Sequence, residues 1–132
     1  MAAAAPVIVA RDLVNRFGPQ VVHDGVSFDV RPGEIFGIVG GSGSGKSVLL
    51  RTLLGLRYPD SGTVEVEGRE VTAMGDRELR EFKRRYGVTF QHGALFSSLT
   101  VAENITLPVA EAIDLDDAAL AQLVELRLRM VG

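Results

Sequence analysis

Residues 40–47 read Gly-Gly-Ser-Gly-Ser-Gly-Lys-Ser, and residues 35–39 before them read Ile-Phe-Gly-Ile-Val. The eight residues match the pattern G-x-x-x-x-G-K-[ST]. The five before them form an apolar, β-branched run that predicts a strand buried on both faces. Residues 47–56 behind them, Ser-Val-Leu-Leu-Arg-Thr-Leu-Leu-Gly-Leu, carry one charge and predict a mostly buried helix. Strand, glycine loop and helix in that order give the pattern a physical meaning. Glycines let the backbone curl until successive N–H groups point at one anion. The helix start adds the positive end of its dipole. The Lys46 ammonium supplies a point charge for β- and γ-phosphates, and the Ser47 hydroxyl suits Mg²⁺. Gly40, Gly41, Ser42, Gly43, Ser44, Gly45, Lys46, Ser47 and Val48 are therefore the candidate nucleotide-phosphate contacts.

Composition narrows the rest. The chain has 132 residues, 46% hydrophobic and 23% charged, which suits one folded domain of modest size and excludes a disordered chain. Its net charge is −3, so no basic excess exists to hold duplex nucleic acid through its phosphates. There is no cysteine, which excludes disulfides and thiolate chemistry. The two histidines, His23 and His92, have no carboxylate or histidine spacing that would make either a metal ligand. The longest apolar stretch, residues 2–10, is broken by Pro6 and falls short of the roughly 20 residues needed to cross a membrane. It lacks a basic start, so it does not read as a signal peptide. Residues 1–6 are expected to be a flexible N-terminus. Glycine is frequent, and five of the 15 lie between Gly37 and Gly45.

Around the loop, residues 7–13 and 26–30 predict strands, separated by a turn at Gly18-Pro19. Residues 31–34 predict a tight turn. Residues 58–62 predict another, leading to a strand over 63–66. Residues 76–85 predict a short charged helix with Leu79 and Phe82 on one side. Residues 88–90 predict a strand ending at Gln91. Thr100-x-x-Glu103 is a capping box, so a helix starts there, limited by Pro108. Asp114 or Asp116 caps a last helix with Leu120, Val124, Leu128 and Val131 on one face. The order suits an α/β domain.

The flanks extend the pattern. Phe17 stands 29 residues before Lys46, in a turn between strands. Gln91 is followed by His-Gly-Ala-Leu-Phe-Ser-Ser-Leu-Thr-Val-Ala-Glu-Asn. From residue 7 onward the chain resembles the nucleotide-binding subunits of ABC transporters, and within them the Mla-type ATPases that traffic phospholipid across the bacterial envelope. The resemblance implies a P-loop NTPase-like fold in its N-terminal part: an antiparallel β subdomain, a core strand–P-loop–helix, and the start of a helical subdomain. It implies ATP and Mg²⁺ as ligands. It makes Phe17 the aromatic that stacks on adenine. It gives Gln91 a contact to Mg²⁺ and to the attacking water, in a loop that meets the permease, and makes Lys46 and Gln91 the catalytic pair of this part of the chain. Ala94, Leu95 and Phe96 would line a groove for a permease helix. A second ATPase subunit would complete a dimer, on the cytoplasmic face of the bacterial inner membrane.

Three parts of the family's pattern are not found in the sequence: the apolar run ending in Asp-Glu (Walker B), the L-S-G-G-x signature, and the switch histidine. Residues 7–132 are therefore expected to be a partial ABC ATP-binding domain. It is expected to bind ATP but to lack the residue that deprotonates the attacking water. The alternatives are a non-transport ABC ATPase of the DNA-repair or chromosome type, and a non-catalytic nucleotide-binding fragment. The acidic charge and the 90–104 block speak against the first.

Overall fold

The turn signal at Gly18-Pro19 forms the tip of a long antiparallel hairpin, β1 (Ile8–Phe17) and β2 (Gln20–Val30). The computed structural model describes residues 5–91, 93–110 and 112–132. Both strands run further toward the turn than their apolar alternation suggests. The alternation is interrupted by bulges between Ala10 and Leu13 and again near Asn15, and Asp12 takes a φ of 48° there. A bulge leaves the ladder intact on either side while hiding the period of two.

On its other edge β1 pairs antiparallel with β3 (Ser61–Val66), and β3 with the short β4 (Arg69–Glu70), giving the order β2-β1-β3-β4. Glu67 and Gly68, at φ 49° and 75°, make the two-residue turn between the last two strands, as a tight hairpin requires. Asp60 fastens the preceding turn to β1: its carboxylate accepts from Arg16 N at 2.7 Å and its N–H donates to Val14 O at 2.8 Å.

The helix behind the glycine loop, α1 (Lys46–Leu53), buries Leu49, Thr52 and Leu53. A 3₁₀ turn (Val71–Ala73) leads to α2 (Asp76–Lys83), which buries Leu79 and Phe82 as the spacing predicts. Together with Ala10, Leu13, Val30, Val64, Val71 and Met74 these side chains form the core of the first unit, residues 1–85. The second unit, residues 86–132, holds α3 (Val101–Ala110) packed on α4 (Asp117–Val131).

The capping box forms in full. Glu103 N donates to Thr100 Oγ1 at 3.2 Å, and Thr100 N donates back to Glu103 Oε2 at 2.7 Å. Asp116, not Asp114, caps α4, accepting from Ala119 N at 2.8 Å.

Several expectations need correction. Residues 35–39 form no strand: Ile35 is fully exposed and Val39 92% exposed. Residues 88–90 form none either. A strand exists only through its ladder, and among the described residues no strand pairs with these segments. The core strand–P-loop–helix is thus present as loop and helix behind a segment with no described strand pairing. Pro108 lies inside α3 instead of ending it. It sits in the final turn, where its missing N–H leaves one carbonyl, that of Asn104, without an intrahelical donor. On α4, Leu120 and Val124 are partly covered, while Leu128 and Val131 are exposed. Residues 1–4 of the N-terminus expected to be flexible, and His92, lie outside the described residues; Ala5 and Pro6 are in no regular element.

Candidate functional site

The glycine loop turns into α1 at Gly45, which is the N-cap and has a φ of 93°. No side chain caps this helix start. The first N–H groups of an α-helix have no acceptor within the helix, so they remain available to an anion. Gly45 is required twice. Its φ lies in the left-handed region, and a Cβ there would stand 2.5 Å from Val22 Cγ1 and 2.6 Å from His23 Nε2.

Lys46 folds back across the loop. Its ammonium donates to Gly40 O at 2.8 Å and to Gly41 O at 2.6 Å. Within the loop, Ser44 N donates to Gly41 O at 3.3 Å. Gly45 at the helix start and Lys46 line one concavity of about 200 Å³, together with Val22, Gly43, Ser47 and Val48. Five of the six were candidate contacts from sequence. Gly40 and Gly41 take part through the lysine, Ser44 through its loop bond, and Ser42 is exposed on the same loop. Mg²⁺ keeps most of its water and takes one or two protein ligands besides phosphate oxygens. The exposed Ser47 hydroxyl at the concavity fits such a role. Among the described residues no trio of His, Asp or Glu would hold a metal by itself.

Phe17, at the end of β1, is 48% exposed and lies under Arg57, whose Cζ is 4.2 Å from the ring centroid. Arg57 is held in turn. Its Nη2 donates to Arg16 O at 2.9 Å and its Nε to Asn15 Oδ1 at 3.3 Å. Asn15 is fully buried and pairs across the hairpin with His23. Its Nδ2 lies 3.2 Å from His23 Nδ1. Thr52 of α1 places its hydroxyl 3.3 Å from Asn15 Oδ1 and 2.9 Å from Val48 O. His23 also hydrogen-bonds the backbone of Gly45, while burial pushes its pKa below the ordinary value. Sequence reading gave Asn15, His23 and Arg57 no role. Their only signal was indirect: a polar Asn and a His at positions that the hairpin register places face to face.

In the second unit Gln91 is exposed and follows an unpaired segment, so it does not end a strand. Leu95, Phe96, Leu99, Val101 and Ile105 line an apolar concavity of about 310 Å³; Ala94 is exposed. Asn104 fixes this loop to α3. It accepts from Phe96 N at 2.8 Å and donates to the carbonyls of Phe96, Leu99 and Thr100 at 2.9–3.2 Å. No helix among the described residues is long and apolar enough to cross a membrane.

Comparison with known proteins gives concordant results. The family model described as ABC transporter matches residues 23–131. A methionine import ATP-binding protein MetN from Mesorhizobium japonicum is 50% identical over 107 residues, 81% of this chain and 29% of that protein. The intermembrane phospholipid transport system ATP-binding protein MlaF from Haemophilus influenzae is 32% identical over 126 residues, 96% of this chain and 48% of that protein. The chain thus spans less than half the length of either relative. The dimeric ATP-binding cassette MJ0796 bound to ADP and Pi superposes with a TM-score of 0.83 at 25% identity, covering 93% of this chain and 56% of the cassette.

Proposed function

The chain belongs to the ABC transporter ATP-binding family, and from that membership we propose that it holds the phosphates of ATP in the cradle of residues 40–47, as the nucleotide-binding part of a transporter's energising subunit. One observation carries the reading. The start of α1, which no side chain caps, and Lys46 line the same concavity, so fixed dipoles and one full charge would act on one anion. Ser47 would hold Mg²⁺ there, and the ion would neutralise charge on the bound phosphates. Phe17 would stack on the base, an interaction open to any base with a π-face. By its resemblance to the family, Gln91 would contact Mg²⁺, the attacking water and the permease. The apolar concavity beside Leu95 and Phe96 would receive a permease helix. A second ATPase subunit would complete a dimer, at the cytoplasmic face of the inner membrane.

We read the transported molecule as phospholipid. The 90–104 block supports this, as does the MlaF match over 96% of the chain. The higher identity to MetN supports a second reading, import of an amino acid. Co-purification of the tagged protein from its own cells separates them by the permease recovered.

The experiment for the cradle is calorimetric titration with MgATP. Lys46→Ala is expected to weaken binding about a hundredfold, the scale of a charge-assisted phosphate contact. Equal affinity in the variant would overturn the reading.

A further inference from the structure

We propose that His23 is a positioning residue for the phosphate loop: together with Asn15 it holds the Gly45 carbonyl, and the same asparagine holds Arg57 against Phe17, so that one buried hydrogen-bonded chain sets both ends of the nucleotide site. The inference rests on the reading of residues 40–47 as a nucleotide-phosphate cradle.

The chain of donors and acceptors has only one consistent assignment. Arg57 Nε can only donate, so the Asn15 atom facing it at 3.3 Å is the oxygen. Asn15 therefore turns its NH₂ toward His23 Nδ1, at 3.2 Å. That nitrogen must accept, which leaves the imidazole proton on Nε2. The backbone bond from His23 to Gly45 then has the ring as donor and the Gly45 carbonyl as acceptor. The same carbonyl accepts the first bond of α1, from Leu49 N at 2.9 Å. His23 thus ties down the peptide from which the helix start is launched.

Asn15 cannot turn over to suit a protonated ring, because its amide would then face the Arg57 donor. A second proton on His23 would put N–H against N–H in a place where His23 is 7%, Asn15 0% and Thr52 1% exposed. Such a buried mismatch is costly, so the network is matched only with neutral His23. Burial acts in the same direction and outweighs the Gly45 backbone bond, which favours the charged ring. The groups facing His23 are the neutral Asn15 from β1, Val22 beside it, and Gly45 from the loop. The neutral Thr52 from α1 and the charged Arg57 reach it only through Asn15. Lys46, next to Gly45, directs its ammonium to the Gly40 and Gly41 carbonyls.

The test compares the protein with His23→Gln, His23→Leu and Lys46→Ala, by calorimetric titration with MgATP at pH 7.5 and pH 5.5, after thermal melts confirm folding. The glutamine amide still donates toward Gly45 but cannot titrate. His23→Leu is expected to weaken binding about tenfold at pH 7.5, the scale of one lost buried hydrogen bond, while His23→Gln retains most of the affinity. Between pH 7.5 and 5.5 the unaltered protein should lose about tenfold more affinity than His23→Gln. Protonation of the ligand is common to both and cancels. Parallel pH profiles for these two, with Lys46→Ala still weakening binding about a hundredfold, would overturn the positioning role and leave the cradle standing. Unchanged binding in Lys46→Ala would remove the cradle and the inference with it. Should His23→Leu not fold, the comparison with His23→Gln decides alone.

Discussion

The Arg57 guanidinium lies over the Phe17 ring, its central carbon 4.2 Å from the ring centroid, and is held there by the Arg16 carbonyl and Asn15. A cation over one face holds the ring at a fixed tilt, while Phe17 as a residue stays about half exposed. If that open surface receives the base, Phe17→Ala should weaken ATP binding about tenfold, the scale of one lost stacking contact. Binding of inorganic tripolyphosphate, which has no base, should not change. Calorimetry with both ligands checks this, and an equal loss for both would mean that Phe17 supports the loop and not the base.

Gly45 predicts a different pattern from Gly41, although both lie in the loop. At Gly45 an added Cβ meets Val22 and His23, and the φ of 93° is already unfavourable for any other residue. His23 cannot retreat without releasing Asn15. Gly45→Ala should therefore cost about 2 kcal/mol or more in urea unfolding, together with nucleotide binding. At Gly41 an added Cβ meets nothing within 4 Å. Gly41→Ala should stay within about 0.5 kcal/mol of the unaltered protein. Equal stability of the two variants would contradict the packing of β2 against the loop.

The capping box gives α3 a dependence on pH. The Thr100 N–H and hydroxyl both donate to the Glu103 carboxylate and hold its pKa below the ordinary value. A carboxyl depressed in the folded state stabilises above its unfolded pKa, and that support disappears as pH falls through the folded value. At pH 7, Glu103→Ala should lower the thermal midpoint of the second unit by a few degrees, about 2–5 °C. Once the pH has fallen through the folded value, the gap between the two proteins should close. A gap that persists in acid would assign the loss to helix propensity or packing instead.

Local signals proved legible wherever the chemistry is local. Thr100 and Glu103 cap each other, Gly18-Pro19 turns a hairpin, and Leu79 with Phe82 faces inward, because each depends on residues within a few positions. The glycine loop belongs to this group, since its turn into α1 at Gly45 depends on adjacent residues. Residues 35–39 and 88–90 were misread because a strand depends on a neighbour that its own sequence does not specify. The Asn15–His23 pair escaped notice for a related reason. It exists only through the register of β1 on β2, and a bulge beside Asn15 hides that register from any count of alternation. Arg57 is 42 positions from Asn15, so nothing in the spacing joins them.

The unpaired segment 35–39 leads to the last prediction. It presents Ile35 fully exposed and Val39 92% exposed. Phe36 is the residue with a ring partner, stacked on Phe28 of β2 at 4.9 Å between centroids and 11° between planes. One end of the segment is thus anchored while its backbone carries no described ladder. An apolar, β-branched stretch with unpaired N–H and C=O groups is a template for a strand from another molecule. The protein should therefore self-associate as concentration rises and bind a hydrophobic dye. Ile35→Lys combined with Val39→Lys should raise the concentration at which it stays monomeric about fivefold, because both charges would have to be desolvated in any paired form. Phe36→Ala should act in the opposite direction by loosening the anchor. Light scattering across a concentration series measures both, and association that ignores the two lysines would place the sticky surface elsewhere, with the Leu95–Phe96 concavity as the next surface to alter.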